Sequence, residues 1–448
     1  WQSADGNEAS FLTQTNLDAG FVLEDLDLSY DGGDGAVSGF DLDAWGFGDA
    51  EPAEALRLDL DFKSGFTVFA DYDRRDSFLD LTGGDFAERT DDWRLTRWRA
   101  GVRIDAWRPV RFELSYRSVE RSGTVHRPLY GLNALYPIAV ELDDTMSELV
   151  LRLSTRTLPV RIDFEQSFAD YRQQSRRSAA GGDAIGSPDP DLLDEAASDY
   201  DVTQDSVPTS RLTVGYAGGA FEGVASVLYR KADLAASGTG SQAFLIGGGD
   251  TGTMTFVDTL LGSAESEALA GNIALGLALG RRFSLRLRGD YRDSSSNSTL
   301  LGERLLRIAN PAMGTSFDYT TPVDEDGVFD FTDSDVRATV EYRAPSWAVW
   351  VGALTTSRET TWRRTAGDEP ETSDRDGDGL LVGASYDPGR FLGLSFEYER
   401  GDFSRFVFRT DPEKVDRAVL RVRSRLGRGW QLSANGRYER ADGSEGAG

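Results

Sequence analysis

"LRLDLDFKSGFTVFADYDRR", residues 56–75, places Leu56, Leu58, Leu60 and Phe62 at alternate positions with Arg57, Asp59, Asp61 and Lys63 between them. Ser64-Gly65 then turns the chain into a second run of the same kind. Successive side chains of a β-strand point to opposite faces, so each run carries one apolar face and one charged face. A helix would not separate the two classes at this spacing.

The pattern recurs along the chain. In 95–105, "LTRWRAGVRID", Trp98, Ala100, Val102 and Ile104 oppose Arg97, Arg99, Arg103 and Asp105. In 110–117, Val110, Phe112, Leu114 and Tyr116 oppose Arg111, Glu113, Ser115 and Arg117. Segments 160–167, 283–292, 336–343, 392–399, 418–426 and 430–439 read the same way. About eighteen such runs of about ten residues are visible, the length with which a tilted strand crosses a bilayer. Short turns at Ser64-Gly65, 106–109, 157–159, 218–220, 280–282, 388–390 and 427–429 alternate with long polar segments. Tyr72, Tyr116, Tyr171, Tyr229, Tyr291, Tyr398 and Tyr438 stand near the strand ends that lead into the long segments, as an interfacial girdle would.

These features predict an all-β transmembrane antiparallel barrel in the bacterial outer membrane, its apolar face on lipid and its charged face on a wet lumen. A soluble propeller should repeat a motif every four strands, and none is found. Slipping 95–105 by one residue would push Arg97, Arg99 and Arg103 into lipid, at roughly 2–4 kcal/mol each near mid-bilayer. The expected organisation is an N-terminal segment, 1–20, with a partial strand, and a barrel over 21–448. Its long external loops are expected at 76–94, 122–144, 173–207, 232–265, 293–333 and 365–377. Residue 1 is Trp, so a leader is expected to have been removed or left out. Adding a strand at each end would bring the count to about twenty, with a backbone diameter of roughly 40 Å.

Composition narrows the function. No stretch approaches the roughly 18 uncharged apolar residues of a membrane helix. The chain has 448 residues, no cysteine, one histidine and a net charge of -27. Without cysteine there is no thiolate metal site, no cysteine nucleophile and no c-type haem attachment on this chain. Such an acidic chain is not expected to bind nucleic acid. His126 reads as an ordinary loop histidine. No nucleophile–base pair, phosphate loop or His/Glu metal cluster appears, so no catalytic activity is expected.

The candidate functional residues are those of the charged face: Arg57, Asp59, Asp61, Arg97, Arg99, Arg103, Arg111, Glu113, Arg117, Arg286, Arg288, Arg421 and Arg423. They read either as a mutually paired, solvated wall or as a lining that grips a hydrophilic guest. "DRDGDG", 374–379, matches the first half of a calcium loop through Asp374, Asp376 and Asp378, with Ser385 where a bidentate Glu belongs. It reads either as an incidental calcium site or as an acidic solvated loop. The segments 129–140 and 244–262 are apolar for exposed loops, and are expected to fold into the bore or dock a partner.

The stretch 66–172 is also familiar in its phrases: "FTVFADYDRRDSF", "DDWRLTRWRAGVRIDAWRPVRFELSYRSVERSGTV" and "LYPIAVELDDTMSELVLRLSTRTLPVRIDFEQSFADYR". It resembles the outer-membrane barrels of porin–cytochrome electron conduits of the MtrB/PioB type, and "RLRGDYRDSSSNST", 286–299, is similar to a strand-exit segment of that type. The resemblance implies an insulating sleeve that holds a multihaem c-type cytochrome in its lumen, with a second cytochrome at the outer surface. Haem would then belong to the partner, and the family has no catalytic residues to transfer. Some of its members carry an N-terminal Cys-x-x-Cys that this chain lacks. The alternative is a passive porin or substrate channel for small solutes.

Overall fold

The computed structural model describes residues 22–442 except 33–34, 49–51, 81–89, 108, 132–133, 156–157, 183–191, 247–251, 311–313, 364–366, 390, 405–412 and 426–430. Eighteen antiparallel strands form one closed barrel. Chain neighbours pair throughout, from Leu26–Asp31 with Val37–Trp45 to Lys414–Arg425 with Gln431–Asp442. Val22–Leu23 and Phe47–Gly48 make a separate two-stranded sheet. Closure leaves no sheet edge, which is the condition for placing strands in hydrocarbon. Eighteen strands at about 4.8 Å spacing and a tilt near 40° give a backbone diameter of about 36 Å.

Exposure along the strands is inverted relative to a water-soluble protein. On the strand Val110–Gly131, Glu113 and Ser115 are 6% and 3% exposed, while Leu114 and Tyr116 are 42% and 39% exposed. The charged residues face one another inside, and the large apolar ones face out. On three consecutive strands the outward apolar set runs from Phe221 to Tyr229, from Leu269 to Leu279 and from Phe283 to Tyr291. Nine residues of tilted strand rise about 23 Å, close to the roughly 25 Å apolar band of such barrels. Beyond the tyrosines the same outer face turns polar, with Asp233, Glu265, Glu267 and Asp293. Tyr171 departs from the expected girdle. It pairs with Met146, two steps along the same face from the Glu148–Ala169 pair, and so it points into the lumen.

Most of the long segments read as loops are continuations of the strands. The expected loop 293–333 is paired from Asp293↔Thr332 to Asn310↔Thr315, and 232–265 is paired from Ala232↔Ser266 to Ile246↔Gly252. In 122–144, 173–207 and 365–377, likewise, the described residues are largely strand. The physical reason is simple: once the outer face meets water, apolar alternation ends, but the backbone still gains from continuing the ladder. The wall is therefore uneven. The strands Gly252–Leu279, Phe283–Asn310 and Thr315–Arg343 have 28, 28 and 29 residues, against 12 for Gln431–Asp442. One side stands about 40 Å taller than the other. Residues 1–20 lie outside the described residues.

Ile273 and Asn272 are chain neighbours that point to lipid and lumen respectively. Ile273→Arg should cost about 2–4 kcal/mol in a urea titration of the barrel in lipid vesicles, and Asn272→Arg less than about 1 kcal/mol.

Candidate functional site: the lumen wall

All of the charged residues expected in the lumen stand on its inner face, and the register decides which of them meet. One cross-strand row runs Asp61, Thr67, Arg103, Glu113, Arg152, Glu165 and Arg211, each directly opposite the next. Opposite positions bring Cβ atoms to about 5 Å, so alternating signs become ion pairs. Thr67 donates to Asp61 at 2.5 Å, Arg103 lies 3.3 Å from Glu113, and Arg152 bonds to Glu165. The row continues through uncharged Leu228 and Ala270, then resumes as Arg292, Asp333 and Arg358, the last two 3.2 Å apart.

Glu113 is the most heavily shared member. Arg99 donates to it at 2.6 Å and Arg103 at 3.3 Å, and Arg152 approaches to 3.9 Å. Arg99 and Arg103 also lie over the ring of Phe69, at 4.8 and 5.3 Å from its centre. Apolar Phe69 is thus seated in a charged wall by cation–π contacts. A second row runs Asp43, Arg57, Asp71, Arg99, Arg117 and Glu148. Its like-charged neighbours Arg99 and Arg117 are each compensated, Arg99 by Glu113 of the first row and Arg117 by Glu148.

The other expected residues are placed as follows. Arg57 pairs along its own strand with Asp59 at 3.1 Å, and Arg97 reaches Asp73 at 3.9 Å. Arg111 grips Asp105 with two hydrogen bonds of 2.6 and 2.9 Å. Arg286 meets Glu341 at 3.3 Å and Arg288 meets Asp290 at 3.0 Å. Arg421 and Arg423 stand opposite Ser395 and Gly393, and have no ion-pair partner among the described residues. Arg152, Glu165, Asp333 and Arg358 complete the ladder and were not singled out from sequence. Their face was legible in the alternation, but the partner that each meets depends on register.

Asp374, Asp376 and Asp378 do not form a calcium loop. They lie on the strand Glu371–Tyr386, exposed on the outer face that carries Leu380 below them. In a curled loop, alternate aspartates converge; in a strand they point the same way, about 6.6 Å apart. No group of three or more His, Asp or Glu side chains converges among the described residues. His126 is held by Asp91, which accepts from its backbone N–H at 2.6 Å and lies 3.1 Å from Nδ1.

The two apolar segments noted in the sequence contribute to one cluster. Above the lipid band, on the lumen side of the tall wall, Ile138, Val140 and Leu142 pack with Ala196 and Phe244, flanked by Val125 and Phe256. Val140 and Phe244 are each 1% exposed, so the inner faces of facing strands touch here and the bore is pinched on that side. On the outside of the same wall, Arg172 bonds Asp201 at 2.9 Å and Arg307 bonds Asp318 at 2.8 Å. These hydrogen bonds hold both carboxyl groups below the usual carboxylate range.

Closed topology, an apolar exterior of bilayer height and an ionic interior define a bacterial outer-membrane β-barrel. A solved structure agrees on the fold. The chain is similar to the ferric yersiniabactin uptake receptor FyuA from Yersinia pestis, at 12% identity and a TM-score of 0.52. The match covers 95% of this chain and 62% of the receptor, so the chain spans less than two thirds of the receptor's length. The copper transporter OprC matches at 11% identity and a TM-score of 0.41, over 94% of this chain and 66% of that one. No protein-family model matches the chain, and no curated protein matches its sequence.

Glu113→Gln should lower barrel stability by about 2 kcal/mol in urea, because three arginines lose a shared acceptor. Arg57→Gln, with its side chain 67% exposed, should cost less than about 1 kcal/mol. The depressed pKa of Asp318 contributes stability at neutral pH that is lost as pH falls through that lowered value. Arg307→Gln should return Asp318 upward to the ordinary carboxylate range in a carboxyl NMR titration.

Proposed function

We propose that this chain is a non-enzymatic sleeve that carries traffic across the outer membrane by holding a multihaem c-type cytochrome in its lumen. The observation that carries this reading is the lumen wall itself. Its arginines and carboxylates are fixed in cross-strand pairs around much of the bore, a polar, shape-stable surface suited to a hydrophilic protein guest. The chain has no cysteine for c-type haem, so the redox centres would be the partner's. The barrel would position them and keep them from lipid. The resemblance of 66–172 and 286–299 to porin–cytochrome barrels supports the same reading, as does a backbone diameter of about 36 Å. A second cytochrome would meet the guest at the tall outer wall.

A second reading, a channel for small solutes, draws support from the barrel shared with an uptake receptor. The pinch at Val140 and Phe244 would then narrow the path. Purification of the tagged barrel from its native membrane, followed by haem staining, separates the two. The sleeve reading expects a stoichiometric multihaem band. Haem-free barrel that conducts ions in a planar bilayer would replace it with the channel.

A further inference from the structure

The inner wall carries little charge where the strands Leu192–Gly218, Phe221–Ile246 and Gly252–Leu279 cross the membrane. Gly215, Val224 and Ala274 stand in one cross-strand row, and Thr213, Ser226 and Asn272 in the next. Two recesses open there, of about 730 and 540 Å³. They share Ala217, Glu222, Gly276 and Arg286, and so form one trough. The trough reaches the short-turn mouth of the barrel, where Gly219 and Gly280 take positive φ of 59° and 84° in the tight turns. Its floor is made of small residues, so a partner's backbone could lie close against it.

The rim has the opposite charge balance from the chain. Six arginines line the trough (Arg161, Arg281, Arg282, Arg286, Arg288 and Arg343) against three carboxylates, Asp163, Glu222 and Glu341. The chain as a whole carries -27. Glu341 is already held by Arg286 at 3.3 Å and Arg343 at 2.5 Å, and Arg288 by Asp290 at 3.0 Å. Arg282 donates to the Tyr342 hydroxyl at 3.1 Å. Arg161 and Arg281 have no ion-pair partner among the described residues. Arg161 and Arg281 thus flank the trough at the mouth from which a guest would enter; Asp163 and Glu222 likewise have no ion-pair partner among the described residues, and the Glu222 side chain lies over Gly276.

We infer that this trough is the seat of an acidic, extended polypeptide segment of the lumen guest, engaged by Arg161 and Arg281. The inference rests on the sleeve reading for the identity of the guest, and deepens it by naming the contact. Charge complementarity fixes the occupant's chemistry: carboxylates spaced along a backbone meet separated arginines, and small side chains or bare backbone meet Gly215 and Ala274. The acidic character of the rest of the barrel would steer such a segment away from other surfaces.

The test uses the full barrel in detergent and a fluorescein-labelled oligo-glutamate peptide as probe, followed by anisotropy. Wild type should bind the peptide at low salt and lose it as salt rises. Arg161→Gln/Arg281→Gln breaks no ion pair and should fold normally, yet weaken binding about tenfold. Arg172→Gln/Arg307→Gln removes two arginines of the outer wall, and should leave binding unchanged. Equal binding by the Arg161/Arg281 variant, equal weakening by the control variant, or displacement of the peptide by free glutamate at low concentration overturns the inference. Haem staining of barrels from native membranes keeps the two claims apart. A haem-free wild type sinks the sleeve reading while the peptide assay still decides the trough. Full, salt-resistant haem retention by the Arg161/Arg281 variant sinks the trough and leaves the sleeve.

Discussion

Hydrocarbon cannot hydrogen-bond a peptide group, and the rest of this structure follows from that. A chain that crosses a bilayer with strands must close its sheet, because an open edge would strand N–H and C=O groups in lipid at several kcal/mol each. Closure then divides every strand into a face that meets lipid and a face that meets its own interior. Leu114 and Tyr116 turn outward and Glu113 and Ser115 inward for this reason, the reverse of the arrangement in water.

The same closure turns the lumen into an electrostatic device. Residues far apart in sequence are forced opposite one another, and the alternating signs of Arg103, Glu113, Arg152 and Glu165 become a ladder of pairs. Such pairs add little stability singly where water reaches them. Together they fix long side chains that would otherwise sweep the bore. Where the ladder lapses, at Leu228 and Ala270, the wall becomes smooth, and the short-turn mouth beside it is rich in arginine. Above the lipid, a small apolar core around Val140 and Phe244 ties the tall wall to itself.

Much of the fold was legible in the sequence, and for a clear reason. Lipid enforces strict alternation, so Leu56 to Phe62 or Trp98 to Ile104 declare both strand and face. Legibility stops where lipid stops. In 293–333 both faces meet water, the alternation fades, and strands that continue to Asn310 and Thr315 read as loop. Tyr171 stands near a strand end as the girdle tyrosines do, but its odd position, shared with Glu165, puts it on the lumen face. The aspartates of 374–378 have calcium-loop spacing only if the backbone curls, and here it stays extended. For the candidate site, face was readable and register was not. Glu113 was visible as a lumen residue, but its three arginine neighbours were not, since they come from strands whose offset no local pattern encodes.

The most direct test of the account is an accessibility scan of the cysteine-free barrel in lipid vesicles. Single cysteines introduced one at a time across residues 269–279 would carry nitroxide labels, with oxygen reporting lipid and a water-soluble nickel complex reporting the lumen. The account predicts two period-two waves in antiphase, oxygen maxima at Leu269, Ile273 and Leu277 and nickel maxima at Ala270, Asn272 and Ala274. Waves in phase, or no alternation at all, would contradict it.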